Sequence, residues 1–232
     1  MPRSLIPGFD PQGDDINLRS ATEKPARPRA AASLILVRFD ADEPQVLLGQ
    51  RPLSMRFMPG KYVFPGGLPR RSDGQVAYRG DVPTAPHCGC TPKALRTLAL
   101  AAIRETYEEV GLRVSAPGPS TPPKGWRAFC AAGQVPDLSP LRYLGRAITP
   151  TLLRMRFDAR FFWMDAASVL DQPLVMSDEF IDLRWVALAD TAALQLPAVT
   201  RYMLNELSQT LVNLNHRPVF LSSRGLYAIE HR

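Results

Sequence analysis

The 232-residue sequence predicts a mixed-sheet α/β/α sandwich of the α+β class in a single domain. Three features predict it. Apolar runs of strand length stand between polar turns. One stretch carries helical periodicity between a clear start and a clear stop. Strands and helices follow no strict alternation, which argues against a purely parallel sheet. Hydrophobic residues make up 45% of the chain, enough for a buried core and too many for wholesale disorder. No run approaches the ~18 consecutive apolar residues of a membrane helix, and residues 1–30 lack a secretory h-region, so a cytoplasmic protein with no membrane attachment is expected. The cysteines, Cys88, Cys90 and Cys130, are odd in number and form no disulfide framework. Proline is the outlier: 23 residues is about twice the usual ~5% and predicts stiff connections with little room for long helices.

Along the chain, residues 1–29 are rich in Pro, Arg and Asp without periodicity and read as an N-terminal arm. Residues 30–213 read as the domain proper and 214–232 as a C-terminal extension. Segments 31–37 and 45–51 are strands by their apolar runs, and the polar turn between them makes the pair a hairpin. Tyr62-Val63-Phe64 is a short third strand, stopped by Pro65-Gly66-Gly67, where two glycines permit a sharp turn. Residues 68–90 are charged and punctuated by Gly and Pro, and read as an insertion. Thr91-Pro92 supplies a helix start, with Thr as N-cap and Pro at the first helical position; the helix runs to about Val110 and Gly111 stops it. Segments 141–148, 156–164 and 180–186 read as strands, 190–194 and 198–211 as helices. The last carries Val199, Met203, Leu204 and Leu207 on one stripe, suited to core packing or a homodimer contact rather than a pocket. Phe161-Phe162-Trp163 reads as a buried strand.

Charge is unevenly placed. Between Arg51 and Arg96 eight basic residues face two acidic ones, so this segment holds the whole net charge of +6. A focused basic region suits an anionic partner, a phosphorylated small molecule or a nucleic acid backbone, and equally a solvated surface. Aromatic residues are only 8% and are not interleaved with the basic run, so nucleic acid ranks below a small phosphoanhydride as partner. Arg51, Lys61, Arg156 and Arg160, with Arg154, are candidates to clamp phosphate groups, two or more of these arginines serving instead as partners of Asp or Glu. His87-Cys88-Gly89-Cys90 offers zinc-type ligands at no known finger spacing, and reads as a loop thiol pair.

The chemistry concentrates in the predicted helix. Glu105, Glu108 and Glu109 lie at i, i+3 and i+4 and share one face, while Leu95, Ala99, Ala102, Thr106 and Val110 fall on another and pack inward. Three clustered carboxylates repel one another unless a cation neutralises them, and hard oxygen donors at this density suit Mg²⁺ or Mn²⁺. An exposed acidic helix end is the plain alternative.

Read together, Gly67, the acidic Asp73 and the run Arg104-Glu105-Thr106-Tyr107-Glu108-Glu109-Val110-Gly111-Leu112 resemble the signature of the Nudix hydrolases. The lead-in Leu47-Leu48-Gly49-Gln50-Arg51 and Phe64-Pro65-Gly66-Gly67 is similar as well. Two departures stand out: Asp73 occupies a position where most members carry Glu, and thirty residues (74–103) separate it from Arg104, far more than the family's usual spacer. A box split in this way, with 156–162 and 196–201, is similar to the acyl-coenzyme A diphosphatases. The resemblance implies a Mg²⁺- or Mn²⁺-dependent hydrolase in which water attacks phosphorus in a diphosphate. Glu108 and Glu109 are the implied principal metal ligands, with Glu105 as ligand or base and Gly67 adding a carbonyl. Arg104 orients a carboxylate without touching substrate. A distal carboxylate completes such sites, Glu179 first and Asp182 second. The implied substrate is coenzyme A or an acyl-coenzyme A. ADP-ribose or another nucleoside diphosphate derivative is the runner-up, a non-catalytic ligand-binding regulator a further class, and an RNA-processing hydrolase ranks behind.

Overall fold

The computed structural model describes residues 19–20, 22–39, 43–82, 88–119, 121–151, 153–222 and 228–230. Strand β1 (Arg29–Arg38) is the centre of the molecule, and its Leu34-Ile35-Leu36-Val37 run is wholly buried. A run with no polar alternation means that both faces of the strand are covered. Leu34 and Leu36 join the core beneath helix α1 (Pro92–Val110), whereas Ile35 and Val37 join a second core beneath helix α2 (Ala198–Val212). The same parity holds on β2 (Gln45–Gln50), where Leu47 faces the first core and Val46 and Leu48 the second. A mixed sheet therefore lies between two helical layers, as expected.

The remaining strands are β3 (Tyr62–Val63), β4 (Gly66–Gly67), β5 (Ser115–Pro117), β6 (Gln134–Pro136), β7 (Arg142–Ile148), β8 (Phe157–Asp165), β9 (Asp182–Ala187), β10 (Val219–Ser222) and β11 (Ala228–Glu230). The main sheet runs β11-β10-β7-β8-β1-β2-β3, with β4 on β1 and β9 on β2; β5 and β6 form a separate pair. On one edge β1 runs parallel to β8, from Arg29 opposite Phe157 to Val37 opposite Asp165. On the other, β1 and β2 pair antiparallel only at Val37–Val46 and Arg38–Gln45. Beyond that the hairpin opens into a fork. Segment 62–67 fills it, β3 pairing with β2 at Tyr62–Gln50 and β4 with β1 at Gly66–Ser33.

Helix α1 follows its sequence signals. The Thr91 hydroxyl accepts from the Ala94 N–H at 3.2 Å, Pro92 stands in the first turn, and Gly111 closes the helix at φ 79° with its N–H on Tyr107 O. Its 19 residues correct the expectation of short helices: its one proline sits where no N–H is needed. Leu95, Ala99, Ala102, Thr106 and Val110 are all buried, as their spacing required. The predicted helix at 190–194 is a 3₁₀ segment, Leu188–Ala193. The insertion holds one 3₁₀ turn, Arg71–Gly74, and packs back onto the protein: Val76 and Val82 enter the α1 core, and Arg96 pairs with Asp81 at 2.9 Å. The segment read as a C-terminal extension supplies β10, which pairs parallel with β7. The end of the arm is anchored too, since Arg156 Nη1 donates to Ala26 O at 2.7 Å.

Candidate active site

A cavity of about 690 Å³ opens at the fork. Gly66 and Gly67 form part of its wall, and close approach explains why both are glycine. A Cβ on Gly66 would stand 2.4 Å from Ala32 O, and one on Gly67 would meet Glu105 Cδ and Oε1 at 2.7 Å. The last two turns of α1 thus press directly against β4. Glu109, 4% exposed, accepts from the Gly66 N–H at 3.0 Å. Burial pushes its carboxyl well above the usual range; that N–H pulls it back, and the charges of Glu105 and Glu179 push it further. Burial also raises Glu105, against the opposing pull of Arg104.

Behind these carboxylates lies a buried ionic network. Arg104 has no solvent exposure and donates to Asp73 Oδ1 (2.8 Å) and Oδ2 (3.1 Å), Glu105 Oε1 (2.7 Å), Glu108 Oε2 (2.9 Å) and Leu68 O (3.0 Å). Burial alone would lower the guanidinium pKa, but the hydrogen bonds to Asp73 and the charges of Glu105 and Asp73 more than reverse that. Asp73, equally buried, also accepts from Trp126 Nε1 at 3.0 Å and from the Arg70 N–H at 2.7 Å. The long insertion therefore leaves the two halves of the motif in contact: Asp73 and Arg104 meet despite the residues between them.

The chain is 27% identical to a Nudix hydrolase from Alicyclobacillus acidocaldarius whose solved structure superposes with a TM-score of 0.66, covering 83% of this chain and 99% of that one. A MutT protein from Methanosarcina mazei Go1 superposes with a TM-score of 0.50 at 18% identity, which speaks for the fold alone. The chain has the Nudix hydrolase fold. Among curated proteins it is 31% identical, over 99 residues, to the acyl-coenzyme A diphosphatase NUDT19 of Gallus gallus, a match spanning 32% of this chain and 26% of that protein. No family model matches the chain.

The structure sorts the predicted site residues. Glu105, Glu109, Gly67, Glu179 and Arg51 line the cavity. Arg51 is held there by its Nε bond to Phe57 O (3.0 Å) and lies 3.5 Å from Glu179. Glu108 turns aside, gripped at 2.8 and 2.9 Å by Nη1 and Nη2 of Arg70. Three predicted phosphate clamps lie outside the cavity wall. Lys61 reaches Gln195 Oε1 at 3.4 Å. Arg156 is buried on Thr149 O and Ala26 O. Arg160, 3% exposed, is spent on Asp158 and Cys88 O. Asp182, the second choice for the distal carboxylate, is taken by Tyr62 Oη (2.6 Å) and Arg184. His87 lies outside the described residues; Cys88 and Cys90 are free thiols, Cys88 Sγ standing 3.4 Å from Cys90 O.

Sequence reasoning missed Arg29, Arg70 and Thr200 on the cavity wall, and Val199 lines it rather than serving only the core. Arg70 carried a usable signal, three residues beyond Gly67 on the same loop. Arg29 and Thr200 carried none, because β1 and α2 meet at the cavity only through the fold.

For a divalent cation the donor chemistry fits: a buried carboxylate is crowded by two others, with one N–H and Arg51 in partial compensation. Among the described residues no three His, Cys, Asp or Glu side chains converge on one point as placed. The reason is visible, since Arg70 and Arg104 hold Glu108 and Arg104 holds Glu105. No helix of the described residues is long and apolar enough to cross a membrane.

Proposed function

We propose that this chain hydrolyses a diphosphate linkage in coenzyme A or an acyl-coenzyme A, with Mg²⁺ or Mn²⁺ held by Glu109 and Glu179, the Gly67 carbonyl beside them, and Glu105 as the base. The single observation that carries the reading is the cavity itself: its carboxylates meet Gly66–Gly67 at one end, and its wall continues through apolar side chains such as Leu153, Met155 and Phe161. Such a wall suits a long organic substituent on a diphosphate, and the partial match to an acyl-coenzyme A diphosphatase points the same way. When bound, the cation supplies charge neutralisation at the diphosphate and acidifies a water.

The chain's own residues supply the rest. Glu105 Oε1 is tied to Arg104, which leaves Oε2 without a partner among the described residues and free to take the proton of the attacking water. As that water's oxygen bonds to phosphorus, the bridging P–O bond breaks and the leaving phosphate keeps the electron pair; the products are a phosphopantetheine and adenosine 3′,5′-bisphosphate. Arg104 positions Glu105, and Asp73 and Trp126 hold Arg104. Arg51 stands where a guanidinium can meet a substrate phosphate.

The test is a product-resolved hydrolysis assay with Mg²⁺ or Mn²⁺ on coenzyme A, an acyl-coenzyme A and ADP-ribose, with Glu109→Gln as blank. Cleavage of the coenzyme A compounds, lost in the variant, is expected. Cleavage of ADP-ribose alone keeps the chemistry and overturns the substrate. Absence of cleavage on all three, with ligand-induced stabilisation retained, favours the regulator reading.

A further inference from the structure

The first turn of α2 reaches the cavity through Val199 and Thr200. It lies on the face of the sheet opposite α1, because Met203, Leu204 and Leu207 pack in the core that takes Ile35 and Val37. This helix end is buried: Leu196 is 1% exposed, Ala198 4% and Thr200 3%. It is also uncapped. Pro197 at the N-cap has no side-chain donor or acceptor, and the first helical bond described is Arg201 N–H to Pro197 O. Among the described residues no acceptor stands opposite the N–H groups of Ala198, Val199 and Thr200, nor opposite the hydroxyl of Thr200 on the cavity wall. A helix terminus withdrawn from solvent with its donors unmatched calls for a ligand. Arg29 lies on the wall of the same cavity and forms no ion pair among the described residues.

We propose that the α2 N-terminus and the Thr200 hydroxyl form an anion subsite for a phosphate monoester, a second phosphoryl group carried by the same ligand as the scissile diphosphate. The donor count decides the chemistry. Three N–H groups and a hydroxyl exceed what one neutral carbonyl oxygen can accept, whereas the three terminal oxygens of a phosphate monoester take all four. The positive end of the helix dipole favours a negative charge there, and Arg29 adds a full positive charge on the cavity wall. The carboxylates of α1 reach the cavity from the opposite face, so one ligand can span diphosphate and monoester. Only the identity of that ligand rests on the proposed coenzyme A reading; the subsite does not.

The experiment titrates the full-length, isotope-labelled protein with inorganic phosphate, without divalent cation and with ionic strength held by chloride, following backbone amides by NMR. Saturable shifts at Ala198, Val199 and Thr200 are expected, with binding about tenfold weaker in Thr200→Val and wild-type affinity kept in Thr200→Ser. Silence of these three amides overturns the subsite, and so does equal affinity in Thr200→Val. In parallel, KM is compared for coenzyme A and dephospho-coenzyme A; a higher KM for the latter, with the gap narrowed in Thr200→Val, is expected. Equal KM values with responsive amides overturn the assignment to the substrate. If neither compound is cleaved while the amides respond, the coenzyme A reading falls and the subsite stands.

Discussion

Asp73 accepts from Arg104, from Trp126 and from the Arg70 backbone in a place solvent does not reach. Its removal would leave the Arg104 guanidinium buried and partly unpaired and the indole N–H without an acceptor. Asp73→Ala is expected to lose about 3–5 kcal/mol of unfolding free energy, read by urea denaturation. Glu109 should behave in the opposite way. Its carboxyl is held above the usual range, first by burial and then by Glu105 and Glu179, so the ionised form is a cost to the cation-free fold. Glu109→Gln keeps an acceptor for the Gly66 N–H while removing that charge. It should raise the melting temperature of the cation-free protein, seen in a thermal melt, and abolish hydrolysis. A variant that is both inactive and less stable would contradict this account.

Helix α1 and strand β4 act as one unit, because the Gly67 backbone rests against the Glu105 side chain. Gly67→Ala should displace that carboxylate and lower kcat at least tenfold in a steady-state assay; a circular dichroism melt should show a far smaller effect, because the obstructed group is a side chain that can swing aside. The cap is a separate matter. Thr91→Ala removes the acceptor of the Ala94 N–H and is expected to cost about 1 kcal/mol, measured by urea denaturation. This helix was legible from end to end, since capping residues, apolar spacing and the glycine stop are all local signals. The segment at 190–194 was not: five residues do not distinguish an α turn from the 3₁₀ segment that forms.

Across the whole molecule, Asp158 on β8 is tied to β7 through Arg146 (2.7 and 2.9 Å) and pairs with Arg160 on its own strand (2.7 Å). Burial works to raise its pKa, but the Arg146 hydrogen bonds and the Arg160 charge hold it below the usual carboxylate range. A depressed folded pKa contributes stability that is present above the unfolded value of ~3.9 and lost as pH falls through the folded one. The melting temperature of the wild type should therefore fall more steeply below about pH 4 than that of Asp158→Asn; identical acid limbs would exclude the role. Glu105 and Glu109 work in the other sense, contributing stability at low pH that is lost as pH rises through their raised folded values. The insertion, whose text carried no period, is partly core at this scale: Val76 and Val82 are buried under α1.

What the sequence determined by itself was what spacing along a single element encodes. The apolar run of β1, the limits of α1 and the shared face of Glu105, Glu108 and Glu109 follow from local periods and residue types, and the split motif was legible as a resemblance. The tertiary structure decided which charged groups remain available. Glu108 has the same helical spacing as its neighbours, yet Arg70 and Arg104 claim it. Arg156 and Arg160 look like any phosphate clamp in the text, yet both are buried in structural bonds, while Arg29 and Thr200 reach the cavity from elements far away in sequence. The physical reason is that an ion pair or a cavity wall is a three-dimensional neighbourhood, set by how the sheet forks and where each helix docks. No period along the chain records that arrangement.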